Sequence, residues 1–194
     1  MKEIDLNKWE IYRSSKRIMH IKSFKDIDVS WDSLIDLMNK SLSKESDILS
    51  TMNKNYSEPK YIYKNRVASI IGTIGYVQFV AELPLLLNQV DYAIKTIDNI
   101  FRQTNKRDGV QLFCNLVATE YISEIHSDAW DAVAFQLKGT TIWDIFAEDE
   151  QTIVESISLE EGDLMLVPAN AVHRVTSNSS RATLNFRIER DQND

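Results

Sequence analysis

The pattern of apolar and polar positions changes character near residue 109. Before it, apolar residues recur at helical spacing. In "SWDSLIDLMNKSL", Trp31, Leu34, Ile35, Met38 and Leu42 return every three or four positions, which places them on one face of an α-helix. Ser30 can cap that helix, because its hydroxyl accepts from the free N–H groups of the first turn, and Asp32 lies where the helix dipole favours an acid. "VDYAIKTIDNIFRQTN" carries a second stripe of Val90, Ala93, Ile94, Ile97, Ile100 and Phe101, closed by Asn105 through Gly109. Both stripes are expected to be packing surfaces. The most apolar segment, Val67 to Ala81, is shorter than the ~20 residues a spanning helix needs, and Glu82 and Pro84 follow it. It is expected in a buried core.

From Gly109 the rhythm becomes that of strands. "VQLFCNLV", "AVAFQL", "TIWDIF", "TIVESISL", "LMLVP", "VHRVT" and "ATLNFRIE" follow one another. Turn signals separate them at Lys138-Gly139, Glu160 to Asp163, Ala169 to Ala171 and Ser177 to Ser180. Short strands with no helical pattern between them predict an antiparallel sandwich or small barrel, and a jelly roll is the natural candidate. The expectation is a mainly β fold, a double-stranded β-helix (jelly roll) with N-terminal helices packed on the barrel. It is read as a single domain over 1–194, with 1–108 mainly helical and 109–194 the jelly-roll core.

Composition narrows the function. The chain has 194 residues, 43% of them hydrophobic, enough to bury a sizeable core. A formal net charge of −7 provides no basic surplus to neutralise phosphates, so general nucleic-acid binding is not expected. One cysteine, Cys114, rules out an internal disulfide and fits a reducing compartment. With a charged N-terminus and no apolar leader, the expectation is a cytoplasmic protein without a membrane segment.

The candidate chemistry lies in two of the three histidines. Side chains two apart in a strand share a face, so His126 and Asp128 in "HSDAWDAVAFQLKG" project together. An imidazole and a carboxylate are two-thirds of the facial triad that holds non-haem Fe(II) with open positions. The third ligand is expected from another strand, and His173 in "GDLMLVPANAVHRV" is placed to supply it. There Gly162 opens a strand, Pro168 closes it where no ladder donor is needed, and Asn170 takes the left-handed conformation of a tight turn. His173 then shares a face with Val175. His20, in a polar stretch, is not expected to act. Trp130, Phe135, Trp143 and Phe146 are expected mostly in the core, with some able to shape an apolar pocket.

These residues resemble the JmjC-like cupin oxygenases, including the ribosomal oxygenase and asparaginyl hydroxylase branches. His126, Asp128, Asp131, Gln136, Gly139 and Trp143 match a pattern close to HxDxxDxxxxQxxGxxxW at the same offsets. "GDLMLVPANAVHRV" is similar to the second cupin motif, and "LNFRI" to the final strand. The resemblance covers roughly residues 110 to 190. It implies Fe(II) held by His126, Asp128 and His173, with 2-oxoglutarate as cosubstrate and hydroxylation of a substrate C–H bond. It also places Asn115 and Asn185 near the cosubstrate. The family usually has Lys or Arg two residues after the motif glycine, pairing with the distal carboxylate of 2-oxoglutarate, and this chain has Thr141. A neutral hydroxyl gives roughly half the strength of a charge-assisted bond. Arg187, sharing strand parity with Asn185, is the candidate replacement. Thr141 and Trp143 are expected to point inward and Ile142 outward.

Three functions are therefore carried forward. The first is an Fe(II)- and 2-oxoglutarate-dependent hydroxylase of a peptide, protein side chain or amino-acid-like metabolite. The second is a metal-dependent cupin dioxygenase or isomerase of a small molecule without 2-oxoglutarate. The third is a non-catalytic cupin binding module. Ribosomal oxygenases carry a dimerisation segment and a further domain after the barrel, which are not expected in the 21 residues that follow His173. A homodimer is compatible with the fold.

Overall fold

A computed structural model of the protein describes residues 3–25, 28–34, 73–77, 106–115 and 121–189. The first element is a short helix, α1 (Leu6–Ser14). Asp5 caps it, its carboxylate accepting from Lys8 N–H at 3.0 Å, and Ser15 and the left-handed Lys16 (φ 53°) end it. Trp9 is the one fully buried side chain of this helix. Burying it stabilises the fold by about 2–3 kcal/mol. At Ser30 the anticipated cap forms, the hydroxyl accepting from Ser33 N–H at 3.1 Å, and residues 31–34 are helical. The rest of that stripe from Ile35, and the whole stripe at 90–101, lie outside the described residues.

Ten strands follow among the described residues: β1 (Met19–Ile21), β2 (Thr73–Val77), β3 (Lys106–Asn115), β4 (Tyr121–Ile122), β5 (Asp131–Lys138), β6 (Thr141–Phe146), β7 (Ile153–Leu159), β8 (Leu164–Val167), β9 (His173–Ser177) and β10 (Arg181–Glu189). They form a six-stranded sheet in the order β1-β8-β5-β10-β3-β2 and a four-stranded sheet in the order β4-β9-β6-β7. All pairings are antiparallel. From β3 to β6 and again from β7 to β10 the chain crosses between the two sheets at each step, the connection pattern of a jelly roll. The fold is the mainly β jelly roll that the strand rhythm predicts.

The described residues of the first hundred include strands as well as helix. β1 and β2 belong to them, each adding an edge to the large sheet, on β8 and β3 respectively. β3 begins at Lys106, inside the stretch expected to end a helix. Three residues in β1 are too few to show alternation, so tertiary pairing, not local pattern, makes this strand.

Two cores result. Between the sheets lie Ala132, Ala134, Trp143, Ile145, Ile157, Leu159, Met165, Val167 and Val175, with Trp130 packed against them. On the outer face of the large sheet, Val133, Phe135, Leu137, Leu164, Leu166, Ala182, Leu184, Phe186 and Ile188 pack under Trp9, Phe24, Val29 and Leu34. Phe135 meets Phe24 edge-on at 6.2 Å, so it faces the N-terminal cover and cannot line a pocket inside the barrel. The N-terminal segment thus completes the second core. None of the helices among the described residues is long and apolar enough to cross a membrane.

Candidate metal centre

The end of the barrel where β5 begins and β6 finishes carries the histidines. Past β4 the chain approaches β9 and forms a single bridge, His126 N–H donating to His173 carbonyl at 3.0 Å and His173 N–H to His126 carbonyl at 2.8 Å. This pairing sets the two imidazoles side by side, with ring centroids 4.4 Å apart. The turn before β9 is tied to the same place. Asn170 takes the left-handed conformation (φ 62°), and its N–H donates to the carbonyl of Asp128 at 2.7 Å.

One ligand atom from each of His126, Asp128 and His173 lies within 4.8 Å of the others. Each imidazole contacts a backbone carbonyl through Nδ1, His126 that of Glu124 at 2.8 Å and His173 that of Ala171 at 2.9 Å. A carbonyl only accepts, so each Nδ1 carries the proton and each Nε2 keeps its lone pair. Fixing the tautomer through the outer nitrogen is the usual way a protein readies a histidine for a metal. Burial holds the His173 imidazole below the ordinary histidine value. Its bond to Ala171 and the Asp128 carboxylate pull the other way, while His126 adds to the lowering. A neutral imidazole is the form that ligates. The donor set of two imidazoles and one carboxylate fits a non-haem Fe(II) site.

Trp143 forms the floor. Its indole stacks on the His173 ring, with centroids 5.2 Å apart and planes 25° from parallel, and its Nε1 donates to Thr141 Oγ1 at 3.1 Å. Thr141 is fully buried and points inward with Trp143, whereas Ile142 is 40% exposed. The Thr141 hydroxyl is committed, since it also donates to Gln136 Oε1 at 3.2 Å. Thr183 Oγ1 donates to the same oxygen at 2.8 Å, and the Gln136 amide donates to the carbonyl of Lys138 at 2.8 Å. Thr141 is therefore part of a closed hydrogen-bond network, which argues against its serving as a cosubstrate anchor.

Asn185 lies on the interior face of β10, opposite Ala134. Its Oδ1 is buried and has no hydrogen-bond partner among the described residues. The backbones of Asn115 and Arg187 sit in β3 and β10, but their side chains lie outside what the structure describes. Arg181 escaped the sequence reading. It is 3% exposed, its Nη1 lies 3.4 Å from Thr183 Oγ1, and its guanidinium sits over the Phe113 ring at 6.0 Å. The signal was present in "RATLNFRI", where Arg181, Thr183, Asn185 and Arg187 alternate with apolar residues. The polar half of such a strand ordinarily faces water. Here the apolar half faces the N-terminal cover, so Thr183, and Arg181 with it, is turned into the barrel.

Asp131, the second aspartate of the motif, is also structural. Its Oδ1 accepts from Ala169 N–H at 2.7 Å and its Oδ2 pairs with Arg13 Nε at 2.9 Å. It ties α1 and the loop before His173 to the start of β5. His20, not expected to act, pairs with Asp163 at 2.8 Å.

A jelly roll with two histidines and a carboxylate converging at one end defines a cupin with a metal site. The sequence model of the ARD/ARD′ family matches residues 87–193, more than half of the chain, and the chain belongs to that family, one of metal-dependent cupin dioxygenases. No curated protein sequence matches it. Among solved structures, the ribosomal oxygenase YcfD from Escherichia coli, in complex with cobalt and succinic acid, aligns over 97% of this chain and 52% of its own, at 11% identity and a TM-score of 0.61. The chain spans about half the length of that oxygenase, and at this identity the likeness is one of fold. A cupin superfamily protein from Desulfitobacterium hafniense aligns over 44% of this chain and 71% of its own, at 17% identity and a TM-score of 0.36. The earlier resemblance to JmjC-like oxygenases is thus shown at the level of the cupin fold.

Proposed function

We propose that the protein is a mononuclear Fe(II) dioxygenase that uses 2-oxoglutarate to hydroxylate a C–H bond of a peptide, protein side chain or amino-acid-like metabolite. The observation that carries this reading is the convergence of His126, Asp128 and His173 with no hydrogen-bond donor to either Nε2 among the described residues. Bound there, Fe(II) supplies oxygen activation and leaves coordination positions for an organic ligand. The chain's own residues do the rest. Glu124 and Ala171 carbonyls hold the imidazole tautomers, and the Trp143 indole fixes the plane of His173 and keeps water from that side. The Asn170–Asp128 backbone bond holds the two motifs in register.

A second reading drops 2-oxoglutarate and lets a small-molecule substrate chelate the metal. Membership of the ARD/ARD′ family favours it, and so does the commitment of the Thr141 hydroxyl to Gln136 and Trp143. The two are separated by anaerobic titration of the metal-free protein with Fe(II), then 2-oxoglutarate, followed by visible absorption. A weak charge-transfer band on adding 2-oxoglutarate supports the first reading. Iron binding with no band at saturating 2-oxoglutarate overturns it in favour of the second.

A further inference from the structure

The last turn of α1 lies against the end of the barrel that carries the triad, and its contacts lead to both motifs. Arg13 is at the centre. Its Nε pairs with Asp131 Oδ2 at 2.9 Å, the two side chains being only 11% and 1% exposed. The other oxygen of that carboxylate accepts from Ala169 N–H at 2.7 Å, in the turn that precedes His173. Three consecutive residues of this turn are in use. Ala169 N–H is held by Asp131, Asn170 N–H donates to the carbonyl of Asp128, and the Ala171 carbonyl accepts from His173 Nδ1. Beyond Arg13 the chain keeps to the same end. Lys16 Nζ reaches Glu148 Oε1 at 3.0 Å in the turn after β6, and Ile18 is buried in the inter-sheet core that also contains Ala171.

We propose that Arg13 is a positioning residue for the metal centre, acting through Asp131 and the turn 169–171, so that docking of α1 and metal loading are coupled. This rests on the reading that the triad holds a metal. The physical cause is the Asp131 carboxylate. A carboxylate this buried needs an opposite charge beside it, and the guanidinium supplies one that no ordinary pH removes. Arg13 stands on the Oδ2 side, which leaves Oδ1 directed at Ala169 N–H. The turn is thereby held in the register that brings His173 to His126 and Asp128. Partners of this kind, one step removed from the ligands, govern metal affinity by about 10–100-fold. The coupling is reciprocal: whatever factor a docked α1 adds to metal affinity, bound metal returns to the docking of α1. The helix thus responds to the state of the site, although none of its residues is a ligand.

The test titrates the full chain, metal-free and anaerobic, with Co(II) and follows its visible d–d absorption. Arg13→Gln is expected to weaken Co(II) binding about tenfold with native far-ultraviolet circular dichroism. Arg13→Lys, which keeps the charge, should fall between the two. Asp163→Asn is the control for loosening alone. It weakens the hold on the N-terminal segment at His20 and Ser23, beside the opposite end of β8, and should leave Co(II) affinity native. Hydrogen exchange reads the reverse direction. Saturating Co(II) should slow exchange of the Leu6–Ser14 amides in the native protein, and much less in Arg13→Gln. Native Co(II) affinity in folded Arg13→Gln, an equal loss in Asp163→Asn, or no slowing in the native protein overturns the inference while leaving the metal reading intact. Should Arg13→Gln not fold, Arg13→Lys decides: reduced affinity supports the role and unchanged affinity overturns it. If the native protein binds no Co(II), the metal reading falls and this inference with it.

Discussion

Thr141 and Gly139 show how single residues shape this site. Thr141 is buried between two partners, so Thr141→Val strips the Trp143 indole N–H of its acceptor inside the barrel. An unsatisfied buried donor costs about 1–3 kcal/mol, and thermal denaturation should show a matching loss of stability. Thr141→Lys, which restores the basic residue of the related oxygenases, is not expected to tighten 2-oxoglutarate binding. Thr141 is fully enclosed, and overpacking a buried position costs about 1–3 kcal/mol. A calorimetric titration showing tighter binding would count against this. Gly139 turns the chain between β5 and β6 at φ +67°, and a Cβ there would run into the backbone carbonyl of Ser180. Gly139→Ala should destabilise the protein by about 3 kcal/mol, combining left-handed strain with displacement of backbone. Denaturant unfolding measures it.

Among the elements, most of the jelly roll could be read from the sequence because each strand is bounded by its own turn residues. "TIWDIF" became β6 without a change of boundary, and Asn170 adopts the left-handed turn that brings His173 back. What could not be read depends on contacts between distant segments. α1 has one buried tryptophan and little periodicity, and β1 is a strand only because β8 lies beside it. Arg187 was singled out by its strand parity with Asn185, a criterion that Arg181 meets equally, but the sequence does not reveal that Arg181 is buried or that the N-terminal segment covers the other side of β10. Asp131 joins three of these segments, and Asp131→Ala removes the buried ion pair with Arg13 Nε and leaves Ala169 N–H without that acceptor. Breaking a buried ion pair costs about 3–5 kcal/mol. We expect a loss of that size in chemical unfolding, and Arg13→Ala should reproduce part of it.

For the whole molecule, the N-terminal cover is fastened to the barrel by an acid-sensitive contact. Burial alone would raise the Asp163 carboxyl. Hydrogen bonds from Ser23 N–H, His20 and Glu160 N–H outweigh it and hold the group below its ordinary value of 3.8. The unfolded chain therefore takes up a proton more readily than the native one. The contact contributes its full stability above pH 3.8 and loses it as pH falls through the lower native value. Asp163→Asn should flatten the acid limb of the stability–pH curve below pH 3.8, as followed by tryptophan fluorescence. The central claim is that the two motifs meet in order to hold a metal, and metal content measures this directly. Native protein incubated with Fe(II) under anaerobic conditions and desalted should retain about one equivalent per chain. His126→Ala and His173→Ala should retain essentially none while keeping the native far-ultraviolet circular dichroism. Iron retained at the native level by either folded variant would contradict the account.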